Sequence, residues 1–172
     1  MAQPNLKDRR LEDYGYILEY RTRWSDNDQY AHMNNAIYYH LFDSIVNTYL
    51  IEKCGLVPKT SPLIGLVVSS YCQVPSDVLV PFLHRNSSRQ FFAPVSFPDV
   101  LELGLRVNKL GSSSVSYEVG VFLKGESKPA AVGGYTHVFV GSESRKSTPM
   151  AQATREGLSK LLRPSGSNTA KL

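Results

Sequence analysis

One apolar segment sets the architecture of this chain. From Asn35 to Lys53 the residues Ile37, Tyr38, Leu41, Phe42, Ile45, Val46, Tyr49 and Leu50 recur at steps of three and four. That is the period of a helix, and these positions cover more than half of its circumference. At 1.5 Å per residue the helix is about 28 Å long, enough to cross a small domain. Asn34 or Asn35 can cap its start, and Lys53 and Gly55 suit its end. A helix this apolar must be covered on several sides. A curved sheet or a partner subunit would supply that cover.

The rest of the chain supplies strands. Tyr16, Leu18, Tyr20, Thr22 and Trp24 fall on one face of an alternating run, with Glu19, Arg21 and Arg23 on the other. Leu63 to Cys72 is apolar and β-branched. Leu101, Leu103, Leu105 and Val107 alternate, and so do Val115, Tyr117, Val119, Val121 and Leu123. Ala130 to Val140 is a last strand, with Gly133 and Gly134 in its middle. Paired glycines there mark a bulge or a close backbone approach. Thr154 to Leu162 suits a short helix. The order is strand, long helix, then strands joined mostly by short turns, which predicts an α+β layout of one antiparallel sheet on one helix. His40 in the helix and His137 in the last strand read as packing residues.

Charge and cysteine content narrow the function. The chain of 172 residues has a net charge of +4. Residues 1–142 are neutral, so the excess lies in 143–172, with Arg145, Lys146, Arg155, Lys160, Arg163 and Lys171. A neutral body with one basic segment suits a small anionic ligand better than nucleic acid. No run is long and apolar enough to span a membrane. Cys54 and Cys72 show no zinc spacing and make no disulfide framework. The sequence holds no metal-ligand cluster, no glycine-rich phosphate loop and no Gly-x-Ser-x-Gly elbow, so no metal or cofactor is expected.

The polar loop Ser25 to Met33 carries the chemistry. Asp26, Asp28, His32, Asn34 and Asn35 crowd between a strand and a helix start. Free N–H groups at a helix N-terminus can polarise a carbonyl and hold an oxyanion. A carboxylate just upstream can attack that carbonyl or activate water. The same residues also suit a plain capped polar loop.

The string Asp26-x-Asp28-x-x-Ala31-His32-Met33-Asn34-Asn35-Ala36-x-Tyr38, continued by Phe42-Asp43, resembles the signature of hot-dog-fold acyl-CoA thioesterases of the 4-hydroxybenzoyl-CoA thioesterase type. The resemblance runs from about Tyr16 to Thr148. It implies a curved antiparallel sheet around a central helix, and hydrolysis of an acyl-CoA to free acid and coenzyme A. It implies Asp28 as the catalytic carboxylate, as nucleophile or general base. Asn34 and Asn35 fall where amides polarise the thioester, His32 orients the loop or moves a proton, and Asp26 is structural. Tyr30, Arg145 and Lys146 are the candidate substrate contacts, the last two for phosphates. A homodimer or homotetramer follows by the same resemblance, and Ser69, Ser70 and Tyr71 could then reach a site across an interface. Two alternatives stand beside hydrolysis: a non-catalytic acyl-CoA or lipid-binding module, and a dehydratase or hydratase. The chain departs from the family at Ala31, where Gly is usual; a positive φ there would strain Ala.

These features divide the chain into an N-terminal extension, 1–15, a thioesterase-like domain, 16–148, and a C-terminal helix and Ser/Gly-rich tail, 149–172. Val74 to Gln90 interrupts the domain. Its coding stretch would begin with GT, as every Val codon does, and can end in AG, as one Gln codon does. The segment reads as a genuine inserted loop or as a translated retained intron. The chain ends Ala170-Lys171-Leu172, which resembles a peroxisomal targeting tripeptide read by an import receptor. The expected location is the peroxisomal matrix, with the cytoplasm as the alternative.

Overall fold

The helix forms where its period places it. In the computed structural model, which describes residues 6–73 and 94–163, α1 spans Asn35–Cys54. The Asn34 side chain caps it by accepting the Ala36 N–H at 3.0 Å. Gly55, at φ 69°, ends it in the left-handed conformation that glycine adopts without a Cβ penalty. Leu41, Phe42, Ile45, Val46 and Leu50 are buried.

Among the described residues, five strands make one antiparallel sheet. They are β1 (Tyr16–Arg21), β2 (Leu63–Gln73), β3 (Val100–Leu110), β4 (Ser114–Leu123) and β5 (Ala131–Gly141), in the order β1-β3-β4-β5-β2. The sheet with its long helix is the hot-dog arrangement. A short α2, Gln152–Ser159, follows and packs near the C-terminal end of α1. The alternating residues point as their period requires. Leu101, Leu103, Leu105, Val107, Val119 and Val121 are fully buried in the core with α1.

The glycine pair in β5 marks a close approach rather than a bulge. A Cβ on Gly133 would lie 2.5 Å from both the Phe42 ring and the Tyr71 carbonyl, and one on Gly134 would meet the Tyr117 carbonyl. The pairing of β5 with β4 lapses at Gly134 and Tyr135 but resumes at Gly133 in the same register, so no residue is inserted. The irregularities sit elsewhere, at Val67/Ser69 in β2 and Val107/Lys109 in β3.

The sheet's other face is also buried, which alternation alone does not show. The segment Leu6–Tyr14 lies over it. Tyr14 sits on Gly104 and Gly120, where a Cβ would come within 2.6 Å of its side chain. Arg9 pairs with Glu118 at 2.6 Å, and Asn108 and Tyr14 add hydrogen bonds to the same carboxylate at 2.9 and 3.4 Å. Arg106 stands 4.0 Å from it and donates to the Arg163 carbonyl. Residues 6–15 of the N-terminal extension are therefore part of the folded body.

The β1 expectation needs correction at its end. Trp24 does not share the buried face of the strand; it is 81% exposed. The ladder stops at the Arg21–Val100 pair, and the chain turns into a 3-10 helix, Trp24–Asp26. The turn is fixed because the Asp26 carboxylate accepts the Arg23 N–H at 2.7 Å. His40 is exposed rather than packed. The Val74–Gln90 segment and the Ala170–Leu172 ending lie outside the described residues. Among the described residues, no helix is long and apolar enough to cross a membrane.

Candidate active site

The loop between β1 and α1 is tied down at both ends. Thr22 donates through its N–H and hydroxyl to the Asp99 carbonyl, both at 2.9 Å. Met33 N–H donates to the Val95 carbonyl at 2.8 Å, and Phe97 N–H to Asn27 Oδ1 at 3.1 Å. The loop thus lies where β1 ends and β3 begins, beside the start of α1.

The two aspartates do different work. Asp26 is buried and accepts from the Tyr20 hydroxyl and the Arg23 N–H, both at 2.7 Å. Burial, then this hydrogen bond, raises the Tyr20 hydroxyl above its ordinary pKa. Asp26 is a structural clamp. Asp28 is half-buried. Its Oδ1 accepts the N–H groups of Tyr30 at 2.8 Å and His32 at 3.3 Å, while its own N–H donates to the His32 carbonyl at 2.8 Å. Oδ2 has no hydrogen bond among the described residues. The loop therefore grips one carboxylate oxygen and leaves the other open.

Ala31 completes this small ring with φ 62°. Its N–H donates to the Asp28 carbonyl at 3.3 Å. The left-handed backbone comes from the loop's need to return three amides to one residue.

The helix start leaves one donor open. The Asn34 N–H is spent on the Asp26 carbonyl at 2.8 Å, Ala36 N–H on the Asn34 side chain, and Ile37 N–H on the Asn34 carbonyl. The Asn35 N–H has no partner among the described residues. Two donors were expected from Asn34 and Asn35; the first is already committed, because the same residue that caps the helix also ties it to Asp26.

The remaining expected residues separate. The His32 ring makes no hydrogen bond to Asp28; it is the backbone of His32 that does. Tyr30 is in the loop and 82% exposed. Arg145 and Lys146 are not brought to it. They follow β5, whose last residue pairs with the first of β2, whereas the loop lies at the end where β5 begins. Within one protomer they stand at the opposite end of the sheet from Asp28.

Other possible nucleophiles and acids are set aside by their surroundings. Burial pushes the Cys54 and Cys72 thiols up to about 11, so both are neutral thiols near pH 7. His137 is buried among Tyr117, Tyr135 and Phe139, and burial lowers its pKa to about 4 against a smaller opposing effect of Asp43. No group of three His, Cys, Asp or Glu suited to a metal occurs among the described residues.

Sequence reasoning missed an aromatic pair beside the loop. The Trp24 and Phe97 rings meet edge to face at 5.9 Å, and both are exposed. The signal was available in part: Asp26, two residues past Trp24, is the residue type that turns a chain out of a strand.

A half-buried carboxylate, Asp28, therefore stands in the loop that leads into the central helix of a hot-dog fold. Comparisons with known proteins give the family. A family model described as thioesterase superfamily matches residues 30–130. The chain belongs to the thioesterase superfamily. The matched range includes His32, Asn34 and Asn35 and begins two residues after Asp28. Among solved structures, the PA5185 protein from Pseudomonas aeruginosa is 42% identical, over 89% of this chain and 95% of that one, with a TM-score of 0.77. Two others are similar in fold alone. The 1,4-dihydroxy-2-naphthoyl-CoA thioesterase Slr0204 from Synechocystis is 14% identical, covering 87% and 98% of the two chains, with a TM-score of 0.68. SAV2348 from Staphylococcus aureus, solved in complex with CoA, is 12% identical, covering 86% and 85%, with a TM-score of 0.69. A search of curated proteins finds no match.

Proposed function

We propose that this protein hydrolyses an acyl-CoA thioester, with Asp28 as its catalytic carboxylate. The observation that carries the reading is that two groups are left open, among the described residues, where the loop runs into α1: Asp28 Oδ2 and the Asn35 N–H. The thioester carbonyl oxygen accepts from the Asn35 N–H, where the helix's partial positive charge favours a developing oxyanion. Asp28 either takes a proton from the attacking water or attacks the carbonyl itself, water then releasing the acid. In both routes the C–S bond breaks, and the thiolate leaves and takes up the proton. A thiolate leaves readily, so no strong acid is required.

Family membership and the resemblance of the loop to the thioesterase signature support this reading. So does the restraint of Asp28, because a carboxylate fixed through one oxygen keeps the other aimed without a further ordering cost.

A thiol-release assay over a panel of acyl-CoAs tests it. Asp28→Asn keeps an acceptor for the Tyr30 and His32 N–H groups, so the loop holds while the negative charge is lost. The rate should fall by about 100- to 10,000-fold. Hydrolysis unchanged in Asp28→Asn refutes the mechanism. Water addition to an enoyl-CoA in place of hydrolysis would make the protein a hydratase.

The working form is a homodimer joined through β2 on this reading. β2 is an edge strand whose exposed residues include Leu66, Val67, Val68 and Tyr71. An apolar edge with unpaired backbone groups is a template for a second copy. Arg145 and Lys146 would then serve a site only from across the interface.

A further inference from the structure

We propose that Trp24 and Phe97, with the adjoining Arg23, bind the adenine nucleotide end of the coenzyme A ester. The inference rests on the thioesterase reading for its substrate, but its own evidence is the surface beside the loop.

Trp24 is 81% exposed and Phe97 40% exposed, and their rings contact each other rather than the core. A tryptophan left in water adds nothing to folding through burial, whereas its flat face can stack a base. The pair is fastened to the Asp28 loop. Asn27 Oδ1 holds the Phe97 N–H, and Trp24 opens the 3-10 turn that Asp26 closes. The stacking surface and the carboxylate therefore belong to one rigid unit.

The charge beside the pair suits phosphates. Arg23, next to Trp24 in the chain, is exposed and forms no ion pair among the described residues. The carboxylates nearest Trp24 and Phe97 in the chain are committed elsewhere. Asp26 holds Tyr20 and the Arg23 N–H, and Asp99 accepts the Ser96 N–H at 2.8 Å. The Arg23 guanidinium lies 5.9 Å from the Tyr20 ring centroid, a contact that limits its wandering. An aromatic surface with an unpaired guanidinium matches a base joined to phosphates. The pantetheine arm of coenzyme A separates that end from the thioester, so the nucleotide belongs near Asp28 but not on it. Arg145 and Lys146, at the other end of the sheet, do not meet this requirement in the same protomer.

Trp24 is the only tryptophan of the chain, so its fluorescence reads the site directly. The full-length protein is titrated with free coenzyme A, with adenosine 3′,5′-bisphosphate and with phosphopantetheine, excited at the red edge of indole absorption to spare the adenine. The first two should quench Trp24 saturably and the third should not. Arg23→Ala should raise the half-saturating concentration of coenzyme A about tenfold. In turnover, Trp24→Ala should raise KM for acyl-CoA by about fivefold or more at unchanged kcat. The acyl-pantetheine ester, which lacks the nucleotide, should be hydrolysed equally by both proteins. Absence of saturable quenching, quenching by phosphopantetheine alone, or an equal loss on both esters overturns the assignment. An emission shift that follows only protein concentration would make the patch a protein contact and overturn it too. Quenching by the nucleotides with no ester hydrolysed would uphold the nucleotide site while the thioesterase reading fails.

Discussion

Replacing Ala31 with Gly should stabilise this protein, although the same change usually destabilises. Ala31 stands at φ 62°. An L side chain in that region costs about 1–2 kcal/mol, and glycine adopts it at almost no cost. Glycine also enlarges the unfolded ensemble, which returns about 0.4–1 kcal/mol in the opposite direction. No packing contribution enters, because Ala31 is exposed. The hydrogen bond from its N–H to the Asp28 carbonyl is made by backbone and survives. The strain relief wins by about 0.5–1 kcal/mol. For a domain of this size that raises Tm by about 1–4 °C. Calorimetry or urea unfolding of wild type and variant measures it. Ala36→Gly provides the contrast, since Ala36 lies in the first turn of α1. There the change should destabilise, by up to about 1 kcal/mol. A drop in Tm for Ala31→Gly like that of Ala36→Gly would refute the strained loop, and with it the account of how Asp28 is held.

Three further outcomes follow from other parts of the fold. Glu118 is 1% exposed and faces Arg9 and Arg106, so Glu118→Ala leaves two guanidiniums without their counter-charge; urea unfolding should show a loss of about 3–5 kcal/mol. His137 is held neutral, with a folded pKa near 4 against 6.5 in an open chain, so the unfolded state takes the proton first and stability falls as pH drops from about 6.5 towards 4. The loss is on the order of 3 kcal/mol, and a His137→Gln variant unfolded across that window should lack it. Val68, 60% exposed on the edge strand, should disrupt a β2-joined dimer when changed to Lys, and light scattering after size exclusion would show a monomer; an unaltered mass would place the interface elsewhere.

The site was partly legible because some of its interactions are local. Asp26 to Arg23, Asp28 to Tyr30 and His32, and Asn34 to Ala36 each span four residues or fewer. Local sequence is enough to suggest such contacts. Trp24 was misplaced because alternation cannot say where a strand leaves its ladder. That point depends on Val100, the partner of Arg21, far along the chain. Arg145 and Lys146 read as candidate phosphate contacts of no fixed place, because charge alone carries no direction; the antiparallel path of β5 carries them to the end of the sheet away from the loop.

The sequence by itself determined the elements and the kind of fold. Periods of two and three to four report which face of each element is apolar, and burial of those faces is the main driving force. Tertiary structure alone decided what covers the second face of the sheet, where Arg9 reaches Glu118 across a separation of 109 residues. It alone decided that, among the described residues, one helix N–H, at Asn35, stays open while its neighbours are used. A hydrogen-bonding group has few partners to give, and only the folded chain shows which donors the structure has already spent.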